Sequence, residues 1–312
     1  MMRKYILRMV ETLLLLGIVS SQAFAWQVVT EDVRQWAQDA VAQEQAIKPA
    51  PAPNTVAVLY FHNRSQNPQL NPLQKGLAFL LMTDLASVGD IRLVERVKLQ
   101  ALVEELNLGV SGLVEKDTAP RVGKLLGAGY LVGGDIRGSK EIELGIHSNL
   151  LQVKGQSTLG QPSAEGMLAQ VFDLEKKILF EIIDLLKIKL TEDQKERLKK
   201  PFTTNYKALI YLSNGLDASD RGNYSRAAIY YQQSLGQDPQ FQPAKNALDE
   251  LRGLGLVMIH PRSDIMLKAQ AEQNSSTTSL GNNTPTFREF KPGSNEGQVR
   301  VESNEGKVRV TW

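Results

Sequence analysis

The sequence predicts an α/β domain followed by a helical segment and a strand-forming tail. Three observations carry this. Residues 55–137 alternate between short apolar runs and amphipathic stretches, the pattern of a sheet with helices packed on it. Residues 167–253 repeat apolar positions at helical spacing, with turn residues between the runs. The last residues contain two tandem copies of one motif, each ending in alternating Val and Arg, the period of a strand.

The N-terminus sets the expected compartment. Arg3, Lys4 and Arg8 precede an apolar run from Leu13 to Val19, and Ala23-Phe24-Ala25 supplies small residues around a cleavage point. This is the layout of a secretory signal peptide over residues 1–25. The run is too short for a bilayer span, which needs about 20 apolar residues. Of 36 basic and 34 acidic residues, residues 1–25 hold three and one, which leaves 33 of each in a chain starting at Trp26. That balance argues against nucleic acid as a partner. There is no cysteine, which excludes disulfides, thiol catalysis, thiolate metal sites and a lipid anchor carried on cysteine. His62, His147 and His260 lie far apart in sequence, so no zinc site is expected.

Residues 30–47 read as a helix. Thr30 can cap it, Glu31 and Asp32 suit its first turn, and Val33, Trp36, Ala37, Ala40, Val41 and Ile47 form an apolar stripe. The stripe can dock on the main domain or on a neighbouring copy. Lys48 to Pro53 then form a stiff linker. Thr55 to Phe61 is a buried strand, and Pro72 opens a helix stopped by Gly89. Ile91 to Val94 is a strand, Val97 to Leu108 a helix, Asp117 to Leu126 a short helix and Tyr130 to Ile136 a strand. Residues 141–160 read as a hairpin, and Met167 to Leu186 as a long helix with Val171, Leu174, Ile178, Ile182 and Leu185 on one face. A charged helix is expected over 192–199, three helices over 204–253, and a polar linker before the repeats Ser294 to Glu302 and Ser303 to Thr311.

The first region carries a set of linked motifs. They are Val56 to Ser65 with its Phe-x-Asn-x-Ser loop, Gly76-Leu-Ala78, Met82 to Leu85, Val94-Glu95-Arg96, Leu106 to Leu113, and Gly123 to Gly134. Taken together they resemble the family of the curli secretion component CsgG, with the flagellar protein FlgO and the N-terminal domain of TolB similar in fold. The resemblance implies a mixed sheet with flanking helices over 54–190. It also implies a role in secretion or surface-structure assembly in the cell envelope. CsgG is a lipidated pore whose barrel comes from long membrane hairpins. Here the only available hairpin, 141–160, is short and lacks aromatic residues, whereas membrane strands need about 9–11 residues and aromatic girdles. The fold-motif residues are Asn63, Ser65, Glu95, Arg96, Gly127, Gly133 and Gly134.

Residues 208–241 resemble one tetratricopeptide repeat, through Tyr211, Gly215, Ala227, Tyr231 and Pro239. Asn214, Ala218 and Ser234 depart from that pattern. The resemblance makes Leu209, Leu212 and Leu216, with Tyr211 and Tyr231, candidates for protein binding. One repeat cannot bury both faces, so these residues either pack on the chain's own helices or line a peptide pocket.

Motifs for chemistry are weak. Gly133 to Lys140 lacks the Gly-Lys-Ser/Thr order of a phosphate loop, and Gly127-x-Gly129 precedes a strand where a dinucleotide fingerprint follows one. His62 to Ser65 is read as a shaping loop, and Glu104, Glu105 and Glu115 as solvated. No catalytic, cofactor or metal residue is assigned. The expectation is a non-enzymatic periplasmic scaffold or assembly factor, peripheral to the outer membrane in one variant. It would bind other envelope proteins and be able to self-associate. The alternative is a subunit of an outer-membrane channel. The expected divisions are 1–25, 26–53, 54–190, 191–255, 256–293 and 294–312.

Overall fold

A computed structural model describes residues 28–47, 54–65, 67–109, 118–138, 143–257, 303–304 and 307–308. The expected signal peptide, the Lys48 to Pro53 linker, Glu115 and most of the tail lie outside the described residues. By contacts the chain forms two units, Met1–Lys268 and Ala269–Trp312.

Helix α1 (Glu31–Ala42) leads into the central strand β1 (Thr55–Val58). Every residue of β1 is buried, and Leu59, Tyr60 and Phe61 continue the buried run. A strand covered on both faces reads as an unbroken apolar stretch, as this one does. The chain then forms β2 (His62–Asn63), α2 (Leu73–Ala86), β3 (Arg92–Leu93), α3 (Arg96–Glu105), α4 (Thr118–Leu125) and β4 (Tyr130–Arg137). Next come β5 (Glu143–Gln152), β6 (Ser157–Gly160), β7 (Ser163–Met167) and α5 (Val171–Leu185).

Among the described residues, seven strands form one mixed sheet in the order β3-β1-β4-β5-β6, with β2 also on β4 and β7 also on β5. β1 is parallel to β3 and β4, and β4 and β5 are antiparallel from Tyr130↔Gln152 to Arg137↔Gly145. Helix α2 is buried nearly all round, as a helix covered on every side must be.

The structure corrects two readings and extends a third. His62 and Asn63 pair with Asp135 and Ile136, so a strand forms where a loop was expected. Residues 141–160 contain the expected hairpin, β5 with β6, and β5 also pairs with β4 and β7, so the hairpin is built into the sheet. Residues 163–167 were not read as a strand; the helix begins at Val171, after a 3-10 turn over Leu168–Gln170. Glycine and proline near 160 hide β7, and cross-strand pairing with β5 forms it regardless.

Beyond the sheet lie α6 (Glu192–Lys199), α7 (Tyr206–Asp220), α8 (Tyr224–Gln237) and α9 (Gln242–Gly253). The starts of α6, α7 and α8 are capped by side chains. Thr191 and Gln194 form a reciprocal box, Asn205 accepts from the Lys207 amide, and Asn223 accepts from the Arg226 amide. The expected division at 190/191 is not a unit boundary, because α7 packs on α2. At the α7–α8 contact, a Cβ on Gly215 would sit 2.3 Å from Tyr231 Cε1, and the Tyr231 ring is fully buried. Gly215→Ala is therefore expected to cost about 1–3 kcal/mol. Gly236→Ala, which meets nothing within 4 Å, should gain about 0.5–1 kcal/mol from helix propensity. Urea unfolding of both variants checks this.

In the tail, Ser303↔Val308 and Asn304↔Lys307 pair antiparallel as β8 (Ser303–Asn304) and β9 (Lys307–Val308). The rest of the repeat lies outside the described residues.

Candidate functional site

The sheet and the helical segment are joined by a buried polar network. Tyr60 follows β1, Lys75 lies in α2, Arg96 opens α3 and Asp220 closes α7. Arg96 is fully buried and donates to both carboxylate oxygens of Asp220 at 3.0 Å, and to Tyr60 Oη at 3.1 Å. Lys75 Nζ donates to Asp220 at 2.8 Å and to Asp217 at 3.0 Å. Tyr60 donates to Gln100 at 3.0 Å, Gln100 donates to Glu104 at 3.0 Å, and Arg34 of α1 donates to Glu104 at 3.1 Å. One continuous chain of hydrogen bonds thus ties α1, α3, β1, α2 and α7 together.

The electrostatics fit that role. Burial opposes the charge on Lys75, but Asp220, Tyr60 and Asp217 outweigh it and raise its pKa. Burial raises the Tyr60 hydroxyl, so it stays a neutral donor. Two cations and two carboxylates balance, and a paired buried charge escapes the full desolvation penalty.

α1 docks on its own chain. Besides Arg34–Glu104, Lys98 lies 5.7 Å from the Trp36 ring centroid, and Arg121 of α4 holds Glu44 at 2.7 Å. The Arg121 hydrogen bond lowers the Glu44 pKa. Glu104 is therefore not simply solvated, whereas Glu105 is exposed.

The binding candidates on α7 and α8 fall inside the molecule. Leu209, Leu212, Leu216 and Tyr231 are fully buried, and Tyr211 is half-buried. Helix α2 fills the face where a peptide would lie, since a Cβ on Gly76 would meet Ser213 Oγ at 2.3 Å and Leu209 at 3.4 Å. Of the two outcomes expected for these leucines, the structure has them buried within the chain, which removes more apolar surface from water than leaving them open to a partner. Ala227 is fully buried, and Pro239 sits exposed in a turn closed by the Phe241 amide on Asp238.

The remaining motif residues shape the backbone. Asn63 donates to Asn67 O and Asn71 Oδ1 at 2.8 Å and accepts from the Ser65 amide at 3.0 Å. Glu95 stands at the start of α3 without a capping hydrogen bond, 3.8 Å from Lys98. Gly127 has φ +65°, Gly133 packs on Leu59, and Gly134 lies against the β5 backbone.

On one sheet face, β5 and β7 expose Asn149, Ser163, Glu165 and Met167, with His147 half-buried among them. The pairings His62↔Asp135 and Asp135↔His147 place these three in one row. Asp135 is held by Arg137 at 2.5 Å and faces Arg64 at 3.8 Å, and His147 lies 3.7 Å from Glu165. This is a polar, largely self-paired surface. Among the described residues no group of three His, Asp or Glu side chains is placed to hold a metal, and no helix is long and apolar enough to cross a membrane.

Sequence reading missed Lys75, Asp220, Asp84 and Glu175. Glu175 had a signal: it lies four residues after Val171 and three before Ile178, inside the apolar stripe of α5. Asp220 had none, because its neighbours Arg221 to Asn223 read as a turn.

The comparisons with known proteins follow this geometry. The family described as "Curli production assembly/transport component CsgG" matches residues 37–139, from α1 to just beyond β4. No curated protein matches the chain. Among solved structures, the C-terminal domain of LpoB from Salmonella enterica shares 16% identity over 43% of this chain and 98% of that one, with a TM-score of 0.29. The LpoB C-terminal domain from Escherichia coli shares 16% over 43% and 98%, with a TM-score of 0.28. The NMR structure of E. coli LpoB shares 18% over 42% and 66%, with a TM-score of 0.30. Likenesses this loose carry no functional argument. The family match over residues 37–139 does not reach α7 to α9, whose repeat-like character rests on residue pattern. Residues 37–139 are thus similar to the CsgG family.

Proposed function

We propose that the protein is an exported cell-envelope scaffold or assembly factor that works through protein contacts and performs no catalysis. The family match over 37–139 carries the reading. The geometry supports it in two ways. The Arg96–Asp220 network locks the helical segment to the sheet, which makes a stiff platform. The β5–β7 face leaves Glu165, Asn149 and Met167 open to a partner. The channel reading is less favoured, because residues 143–152 and 157–160 are hydrogen-bonded into the sheet and not extended as membrane ribbons.

Fractionation of cells producing the full chain tests this. Release by osmotic shock without detergent is expected, with cross-links to envelope proteins that weaken in a Glu165→Lys/Met167→Glu double variant. Retention in the cytoplasm would refute export. Extraction only by detergent, with conductance in planar bilayers, would favour the channel. A large thermal shift with a nucleotide panel would show a small-molecule site.

A further inference from the structure

A second buried charged cluster lies between α2 and α5, apart from the Arg96 network. Asp84 on α2 and Glu175 and Lys176 on α5 are 3%, 2% and 8% exposed. Lys176 Nζ lies 2.5 Å from Asp84 Oδ2 and 3.6 Å from Glu175 Oε2, and 5.7 Å from the centroid of the Phe202 ring after α6. The buried residues of β5 and β7 on that side, Leu144, Ile146, Ser148, Leu150 and Ala164, are uncharged. At the other end of α2, Lys75 is already paired with Asp217 and Asp220. The cluster therefore holds two carboxyl groups against one ammonium. With one proton its charge sums to zero, and without it a net negative charge is buried.

We propose that Asp84, Glu175 and Lys176 form a proton-operated joint between α2 and α5, closed while one proton sits on Glu175 and loosened when it leaves. Glu175 Oε1 is buried with no hydrogen-bond partner, and burial raises the Asp84 carboxyl as well, against the pull of Lys176. Burial first, and the Asp84 charge second, hold Glu175 protonated well above the usual carboxylate range. Because α2 also seats α7, loosening this joint relaxes the platform. The inference does not depend on the proposed function.

The folded state then binds one more proton than the unfolded state above the ordinary carboxylate pKa. Stability is full at low pH and falls as pH rises through the folded pKa of Glu175. Urea titrations of the full chain from about pH 5 to pH 9 test it. The unfolding constant of the wild type should rise, relative to Glu175→Gln, by up to about tenfold per pH unit. Hydrogen-exchange protection in α2 and α5, corrected for intrinsic rates, should fall with pH in the wild type and not in the variant. Parallel pH curves, or protection independent of pH in the wild type, would overturn the proposal. If Glu175→Gln fails to fold, Asp84→Asn serves instead: Glu175 then has Lys176 to itself, and the same flattening is expected.

Discussion

Asp220→Ala is expected to cost about 3–5 kcal/mol, because it removes the carboxylate paired with a buried cation. The guanidinium of Arg96 is fully buried and gives Asp220 a bidentate pair at 3.0 Å. Tyr60 remains, but its oxygen is a single neutral acceptor. Lys75 keeps Asp217, so the loss concentrates on Arg96. Since Asp220 is the only member of that pair on the helical segment, the variant should also weaken the seat of α7 on α2. Urea unfolding would then show a lower midpoint and a shallower or split transition. A loss below about 1 kcal/mol would mean that water reaches Arg96, as at an exposed ion pair. The double variant Arg96→Met/Asp220→Leu should recover much of the loss, because an apolar pair leaves no buried charge.

Gly134→Ala is expected to cost about 3 kcal/mol or more, by forcing two backbones apart. A Cβ there would stand 2.0 Å from the carbonyl oxygen of His147 and 2.8 Å from the Cα of Ser148. Neither atom belongs to a side chain that can rotate away. β4 and β5 would have to separate across the pairs Gly133↔Asn149 to Ile136↔Ile146, and β7, which rests on β5, would shift with them. Two nearby glycines supply the contrast. Gly133→Ala meets only the Leu59 side chain at 3.4 Å and should cost under about 1 kcal/mol, as an ordinary contact. Gly127→Ala meets nothing within 4 Å but has φ +65°, so its cost of about 1–2 kcal/mol is conformational. Urea midpoints should be highest for Gly133→Ala, intermediate for Gly127→Ala and lowest for Gly134→Ala. A Gly134→Ala midpoint equal to that of Gly133→Ala would show that the strands part easily.

These three glycines show how far local reading reaches. All of them are visible as one glycine-rich stretch, and nothing local distinguishes a backbone contact from a turn or an open position. The same holds for Arg96. Its place after Val94-Glu95 is legible as a motif, but its partner lies 124 residues away.

The sequence alone determined the alternation of strands and helices, the apolar central strand, the amphipathic α1 and α5, and the tail's strand period. Each follows from side-chain spacing within one element, where the backbone period does the sorting. Tertiary structure decided that α1 docks on its own chain and that β7 exists on the β5 edge. It also decided that Leu209, Leu212 and Leu216 are buried, Leu209 against α2, and that Asp220 neutralises Arg96. Those outcomes depend on which surfaces meet across long stretches of chain, where burial and charge pairing outweigh the propensity of any single residue.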